Sequence, residues 1–251
     1  GRTLLVPLAL AALTVGLFVM SGVTNFWALL GYGLVLLAGW VAIYETYRGV
    51  LARRKAHASR ENVLQSLGAL FTRNPRRYGG YMIHLGITII GLGVIGSMVF
   101  QQETQQTLTV GQSAQIGGYE LRYDGLDTNQ IADDGRIMDI ANLTLSRGGQ
   151  EIAHLRPRRD FFPEATDMNS TTIAGSYSTI ENDFYVLLVN WEPISASSAT
   201  FKIYINPLVN LVWWGGLILI LGTLMAGYPR ETLPARVRAK LELAPQGQGA
   251  D

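Results

Sequence analysis

Residues 76–100 read RRYGGYMIHLGITIIGLGVIGSMVF. Past the two arginines, Tyr81 to Phe100 contains no Lys, Arg, Asp or Glu, and about 20 apolar residues at 1.5 Å each cross ~30 Å of hydrocarbon. The stretch therefore predicts a transmembrane helix. Within it, His84 is the side chain that needs a reason, because an ionisable ring among lipid tails is costly and usually faces protein and serves a function. Thr88 and Gly91 follow at i+4 and i+7 on the same helical face, while Gly86, Gly93 and Gly96 thin an adjoining one. Small residues let a partner helix or a flat macrocycle approach the backbone, and these two readings are not separable from the pattern alone.

The same test finds three more spans. Leu4 to Met20, Trp27 to Tyr44 and Leu208 to Tyr228 are also free of Lys, Arg, Asp and Glu, each within the length range of a span. A cleaved signal peptide is the other reading of the first run. It is disfavoured because a second span follows within a few residues and no Ala-x-Ala-like site precedes it. The chain begins with Gly1 and is expected to be a processed or partial copy of a longer protein.

Overall, 48% of residues are hydrophobic, 16% are charged and the mean hydropathy is +0.19, too apolar for an average soluble domain. The sequence contains no cysteine, which excludes disulfides, thiolate metal ligands and thiol exchange. Any redox role requires a cofactor.

Charge is distributed unevenly. Glu45 to Arg77 carries eight basic residues against two acidic ones, and the tail after Tyr228 carries four against three. Basic residues beside span ends stay in the cytoplasm, so both segments are expected inside. Gln101 to Pro207, expected outside, holds seven basic and fourteen acidic residues, a balance of −7 within a chain total of +1. The positive-inside rule accounts for the basic segment, so no nucleic-acid partner is implied. Within that segment, Val63, Leu67 and Leu70 form a stripe over Asn62 to Phe71, as in an interfacial amphipathic helix or one packed on its neighbours.

Between Gln105 and Ile205 the pattern changes to short alternating runs broken by Gly, Asn and Asp. This predicts strands over Gln106 to Val110, Tyr119 to Tyr123, Met138 to Leu145, Glu151 to Leu155, Thr171 to Gly175, Phe184 to Trp191 and Thr200 to Ile205. The fold class is an α-helical integral membrane protein with about four spans and an inserted all-β periplasmic domain, a small sandwich or barrel. The expected organisation is spans 1 and 2 over 1–46, a basic cytoplasmic linker over 47–77, span 3 over 78–100, the β-domain over 101–206, span 4 over 207–228 and a cytoplasmic tail over 229–251. Asp133, Asp134 and Asp139 are candidates for a site, but Asp133-Asp134-Gly135 is most simply a turn and the spacing of its acids fits no calcium loop. His154, with Arg156, Arg158 and Arg159, lacks a second His or Cys nearby and reads as structural.

Three blocks resemble one family. Arg77-Tyr78-Gly79-Gly80-Tyr81-Met82-Ile83-His84-Leu85-Gly86 is similar to a stretch in the C-terminal half of the CcmF-type haem lyases of bacterial cytochrome c maturation. Leu155-Arg156-Pro157 through Phe161-Phe162-Pro163, with Met168 to Ile173, agrees as well. So does Phe201-Lys202-Ile203-Tyr204-Ile205-Asn206-Pro207-Leu208-Val209-Asn210, leading into Trp213-Trp214-Gly215-Gly216.

The resemblance implies that His84 is an axial ligand to the iron of a b-type haem near the cytoplasmic side, with Tyr81, Thr88 and Gly91 as the pocket wall. The second ligand would come from outside this chain, since His57 and His154 lie in no span. The implied function is one part of a haem lyase in the bacterial inner membrane, inactive alone, that transfers haem to apocytochrome c. Implied partners are the N-terminal part of the lyase, CcmH- and CcmI-type proteins, the haem chaperone CcmE, apocytochrome c and quinol. The family's tryptophan-rich segment, its periplasmic histidines and its first transmembrane histidine are absent here, and Trp191-Glu192 is not that motif. The competing reading is a non-catalytic membrane scaffold whose β-domain binds a partner protein, with His84 merely packed.

Overall fold

The computed structural model describes residues 2–56, 61–162, 170–192 and 197–228. The 229–251 tail, His57, and Pro163 and Met168 of the family-like block lie outside the described residues. Four helices are long and apolar enough to cross a membrane: α1 (Arg2–Met20), α2 (Phe26–Ala56), α4 (Pro75–Val99) and α5 (Asn210–Gly227). A short α3 (Val63–Arg73) connects α2 to α4. The β-domain is inserted between α4 and α5.

Two helices run past their apolar stretches. α2 continues beyond Tyr44 through Glu45 to Ala56, because its charged turns find partners: Arg48 Nη1 lies 2.8 Å from Glu45 Oε1, and Arg53 grips Glu61 with two bonds of 2.6 and 2.7 Å. α4 starts at Pro75, where a proline costs nothing because the first turn has no intrahelical N–H partner. Much of the expected basic linker is thus helix. α3 opens with a capping box, Asn62 Oδ1 accepting from Gln65 N at 2.7 Å and Gln65 Oε1 accepting from Asn62 N at 3.0 Å. Its stripe is divided: Leu70 is buried against Val50 and Tyr78, whereas Val63 is exposed. Packing on the neighbouring helices, rather than an interface with lipid alone, occupies its apolar face.

The helices meet through glycine. α4 and α5 run antiparallel, and Gly79, Gly86 and Gly93 at heptad spacing face Gly222, Gly215 and Leu208. A Cβ at Gly86 would lie 2.8 Å from Gly215 O, and one at Gly215 would lie 2.7 Å from Gly86 O. Backbone touches backbone, as small-residue packing in membranes permits. On the far side of α4, Thr88, Gly91 and Ile95 meet Gly39, Val35 and Gly31 of α2. α1 packs on α2 through Phe18 against Tyr32, with Trp40 Nε1 donating to Thr14 Oγ1 at 3.2 Å.

Among the described residues between α4 and α5, ten strands form two antiparallel sheets. The first has the order β1 (Gln102–Thr109), β10 (Ser198–Pro207), β9 (Asn182–Trp191), β8 (Gly175–Ser178). The second runs β2 (Ser113–Ile116), β3 (Tyr119–Ile131), β4 (Ile137–Arg147), β6 (Arg158–Phe161), β7 (Ser170–Ile173), with β5 (Gln150–Leu155) beside β6 on the same edge of β4. Alternate residues of both sheets interdigitate: Leu121, Tyr123, Leu143 and Leu145 against Phe184, Leu188, Phe201 and Ile203, all at most 1% exposed. The domain is a sandwich, not a barrel.

Several strands depart from the sequence pattern, and β2 lies in none of the expected runs. β6 reads Arg-Arg-Asp-Phe, too charged to announce a strand, yet Asp160 points inward between Arg136 and Arg158, each 3.0 Å away. The run expected as Thr171 to Gly175 divides into β7 and β8, which belong to different sheets. β3 extends to Ile131 because bulges at Tyr123/Gly125 and Asp127/Gln130 absorb the break, with Gly125 at φ +153° and Asn129 at φ +56°.

The seam predicts a paired result. Gly215→Val is expected to lower detergent-solubilised stability by about 1–3 kcal/mol, the usual cost of overpacking. Gly216→Val, where a Cβ meets nothing within 4 Å, should leave the melting temperature nearly unchanged.

Candidate functional site

α4 positions His84. The glycine seam fixes one side of the helix on α5, and Thr88 fixes the other on α2, its hydroxyl lying 3.0 Å from Val35 O and 2.9 Å from His84 O. With one proton to give, Thr88 shares it between the two carbonyls. The rotation of α4 is then set, and His84, one turn before the buried Thr88, is exposed, as are Ile87 and Val94.

Of the residues expected beside it, Thr88 and Gly91 are turned to α2, with Thr88 4% exposed and a Cβ on Gly91 2.7 Å from Val35 Cγ1. They back the histidine and do not line an open clearing. Tyr81, one turn below His84, is half-buried; its hydroxyl accepts from Arg77 Nε at 3.0 Å, and its ring stands edge-on to Tyr78 at 5.7 Å. Gly86 and Gly93 are occupied by α5, and Gly96 by Leu208.

Two features near this face carry no motif in the sequence. One is an apolar groove of about 250 Å³ whose lining includes Ile43, Leu67, Phe71, Tyr81 and Leu85. The other is a recess of about 430 Å³ lined by Glu45, Arg48, Lys55 and Arg77, among others. The groove joins side chains of α2, α3 and α4, and the recess joins one face of α2 to Arg77 of α4, so spacing along one segment does not reveal the groove.

In the sandwich, the polar residues singled out from sequence do not converge. Asp133-Asp134-Gly135 is a turn closed by Gly135 N donating to Ala132 O at 2.9 Å. Asp139 accepts from Asn129 N at 2.8 Å, fixing the β3 bulge. His154 is exposed and pairs with Glu151 at 2.8 Å. Arg159 stacks over Trp191 at 5.9 Å and donates to Ser170 Oγ at 3.1 Å, and Arg156 approaches Asp127 at 3.9 Å. Among the described residues, no three His, Cys, Asp or Glu side chains gather as a metal site. An exposed imidazole on an apolar helix could give a haem iron one protein ligand.

Helices that cross a membrane and deliver both ends of one sandwich define a membrane-anchored β-sandwich protein. Residues 99–207 match the family described as the CcmF C-terminal beta-sandwich, and the chain as a whole is similar to CcmF-type proteins. It is 29% identical to the cytochrome c-type biogenesis protein CcmF of Pseudomonas aeruginosa over 224 residues, 88% of this chain and 32% of that protein. With CcmF of Haemophilus influenzae it shares 27% over 205 residues, 81% of this chain and 29% of that one. The solved structure titled Cytochrome c Heme Lyase CcmF superposes with a TM-score of 0.65 at 23% identity, covering 90% of this chain and 34% of that chain, which establishes the shared fold. The chain spans about a third of the length of these relatives.

The geometry of the sandwich yields a further pair of expectations. Asp160→Ala, which leaves two arginines without their shared carboxylate, is expected to cost about 3 kcal/mol, the lower end for a broken buried pair because both arginines remain partly hydrated. His154→Ala should stay within about 0.5 kcal/mol, as exposed pairs do. Thermal melts of the two variants measure both.

Proposed function

We propose that this chain is the C-terminal part of a haem lyase component of cytochrome c maturation, and that His84 gives one axial ligand to a b-type haem held in the membrane. One observation carries the reading: the only histidine in the four spans stands exposed although α2 and α5 both pack on α4. An imidazole left facing lipid pays a solvation cost without return. A haem seated there, its second ligand coming from a segment outside this chain, removes that cost and shields the face.

Bound haem would supply one-electron chemistry. The protein's own part is to aim and insulate the ligand. Thr88 and Gly91 seat α4 on α2, the glycine seam holds α4 on α5, and Tyr81 closes the side one turn below. Among the relatives' roles, this region would receive electrons, with quinol as donor, and present the sandwich to CcmH- and CcmI-type proteins, the CcmE chaperone and apocytochrome c.

Charge supports the orientation. The basic ends of α2 and α4 lie at the end of the helix set opposite the acidic sandwich, and basic flanks remain in the cytoplasm. The sandwich would then face the periplasm of a bacterial inner membrane.

In the complete complex, His84→Ala is expected to abolish the b-type absorbance while the melting temperature of the sandwich stays unchanged; retained absorbance overturns the ligand assignment. Single cysteines at Ser59 and Asn129, in this cysteine-free chain, should react with an impermeant reagent from opposite sides of the membrane. Labelling from one side would reverse the topology.

A further inference from the structure

Arg77 stands seven residues before His84 on α4. Two helical turns return to the same face within about 20° and separate the positions by about 10 Å along the axis. That is comparable to the reach from a haem iron to its propionate carboxylates. The lower end of this face is the recess lined by Glu45, Arg48, Lys55 and Arg77, about 430 Å³ in volume.

Its charges do not balance. Its lining holds three cations and one carboxylate: Glu45 accepts from Arg48 Nη1 at 2.8 Å through Oε1 and from Arg77 Nη2 at 3.2 Å through Oε2, and Lys55 lies further along α2. Arg77 is already oriented by Tyr81, whose hydroxyl accepts from its Nε and whose ring lies 5.7 Å beneath the guanidinium. The Arg48 and Arg77 side chains are 47% and 58% exposed, so each retains donors for an incoming anion. The surplus of two positive charges equals the charge of two ionised propionates. Where guanidinium meets carboxylate, the paired hydrogen bonds are short and strong.

We infer that Arg48 and Arg77 anchor the propionates of the haem that His84 ligates, with Lys55 adding to the field and Glu45 holding the two guanidinium groups apart. This rests on the proposed function. It makes the recess the lower half of one haem site and sets the macrocycle upright along α4, propionates toward the basic end. An anionic phospholipid headgroup would satisfy the same chemistry and is the alternative that the experiment separates.

The test uses the complete complex, stripped of haem and titrated with haem or with haem dimethyl ester, whose propionates carry no charge. The unaltered protein should prefer haem by about tenfold or more, the range expected from charge-assisted bonds. Arg48→Ala/Arg77→Ala should lose that preference by weakening only for the free acid, and Arg48→Lys/Arg77→Lys should restore part of it. The midpoint potential of the haem retained by the alanine variant should fall, since removed cations no longer favour the reduced form.

An undiminished preference in the alanine variant overturns the inference. So does a variant that keeps its haem affinity but loses co-purifying anionic phospholipid, which would make the recess a lipid site. His84→Ala reports separately: retained absorbance there removes the ligand assignment itself, whereas lost absorbance there beside an undiminished preference for haem over its ester in the arginine variant removes only the anchor.

Discussion

The close approach of α4 to α5 fixes everything attached to them. In lipid no hydrophobic drive pushes two helices together, so the contact must come from packing and from the backbones themselves. Gly79, Gly86 and Gly93 on one helix and Gly215 and Gly222 on the other permit it. The two helices carry the ends of one chain segment, so their spacing also sets the separation of β1 and β10, which pair along their full lengths from Gln102↔Ile205 to Thr109↔Ser198. The junction is sewn at both corners: Gln101 Nε2 donates to Asn206 Oδ1 at 2.6 Å, and Leu208 N donates to Glu181 O at 2.8 Å. Leu208 adopts φ +59° to turn from strand to helix while covering Gly96. The sandwich is thus oriented by the seam below it.

The opposite end is organised by two carboxylates among many cations. Glu45 joins α2 to α4 through Arg48 and Arg77. Glu61 takes both nitrogens of Arg53 and the hydroxyl of Ser66, pinning the start of α3 to the end of α2. With α3 so held, Leu70 and Phe71 close over Tyr78. The first turns of α4 are fixed before the apolar span begins, and that fixes where Arg77 and His84 point.

Much of this was legible in the sequence, and what was not has physical causes. Hydropathy found the four spans because an uncharged apolar run of membrane-crossing length is rare in a water-soluble fold. It stopped α2 at Tyr44, since an ion-paired turn looks like a loop until its partner, Glu61, is seen to come from the next segment. The alternating runs found most of the sandwich, but β6 hid behind Arg158, Arg159 and Asp160, whose charges are tolerated because they meet one another across strands. The glycines of α4 posed the hardest ambiguity. Their spacing admits a helix or a macrocycle equally, and only the position of α5 shows that Gly79, Gly86 and Gly93 are filled. His84 was conspicuous for its chemistry, yet that it stays exposed while Thr88 and Gly91 on the same face are covered by α2 depends on where α2 packs, which one sequence does not report.

Depth in the membrane follows from the aromatic residues. Phe26, Trp27, Trp213 and Trp214 are exposed toward the sandwich end of α2 and α5, and Tyr47 and Tyr228 are exposed toward the other end. Such rings settle at the two water interfaces. Along α4 the first level falls near Ile95, which meets Gly31 one turn beyond Trp27, and the second near Arg77, bonded to Glu45. About 27 Å separates these positions along the helix, close to one hydrocarbon thickness. His84 lies only about 10 Å above the lower of them. On the proposed function, a haem on that ligand would belong to the half of the membrane away from the sandwich, on the side of the basic helix ends. The seam that holds α4 against α5 is what keeps His84 and the sandwich in fixed register.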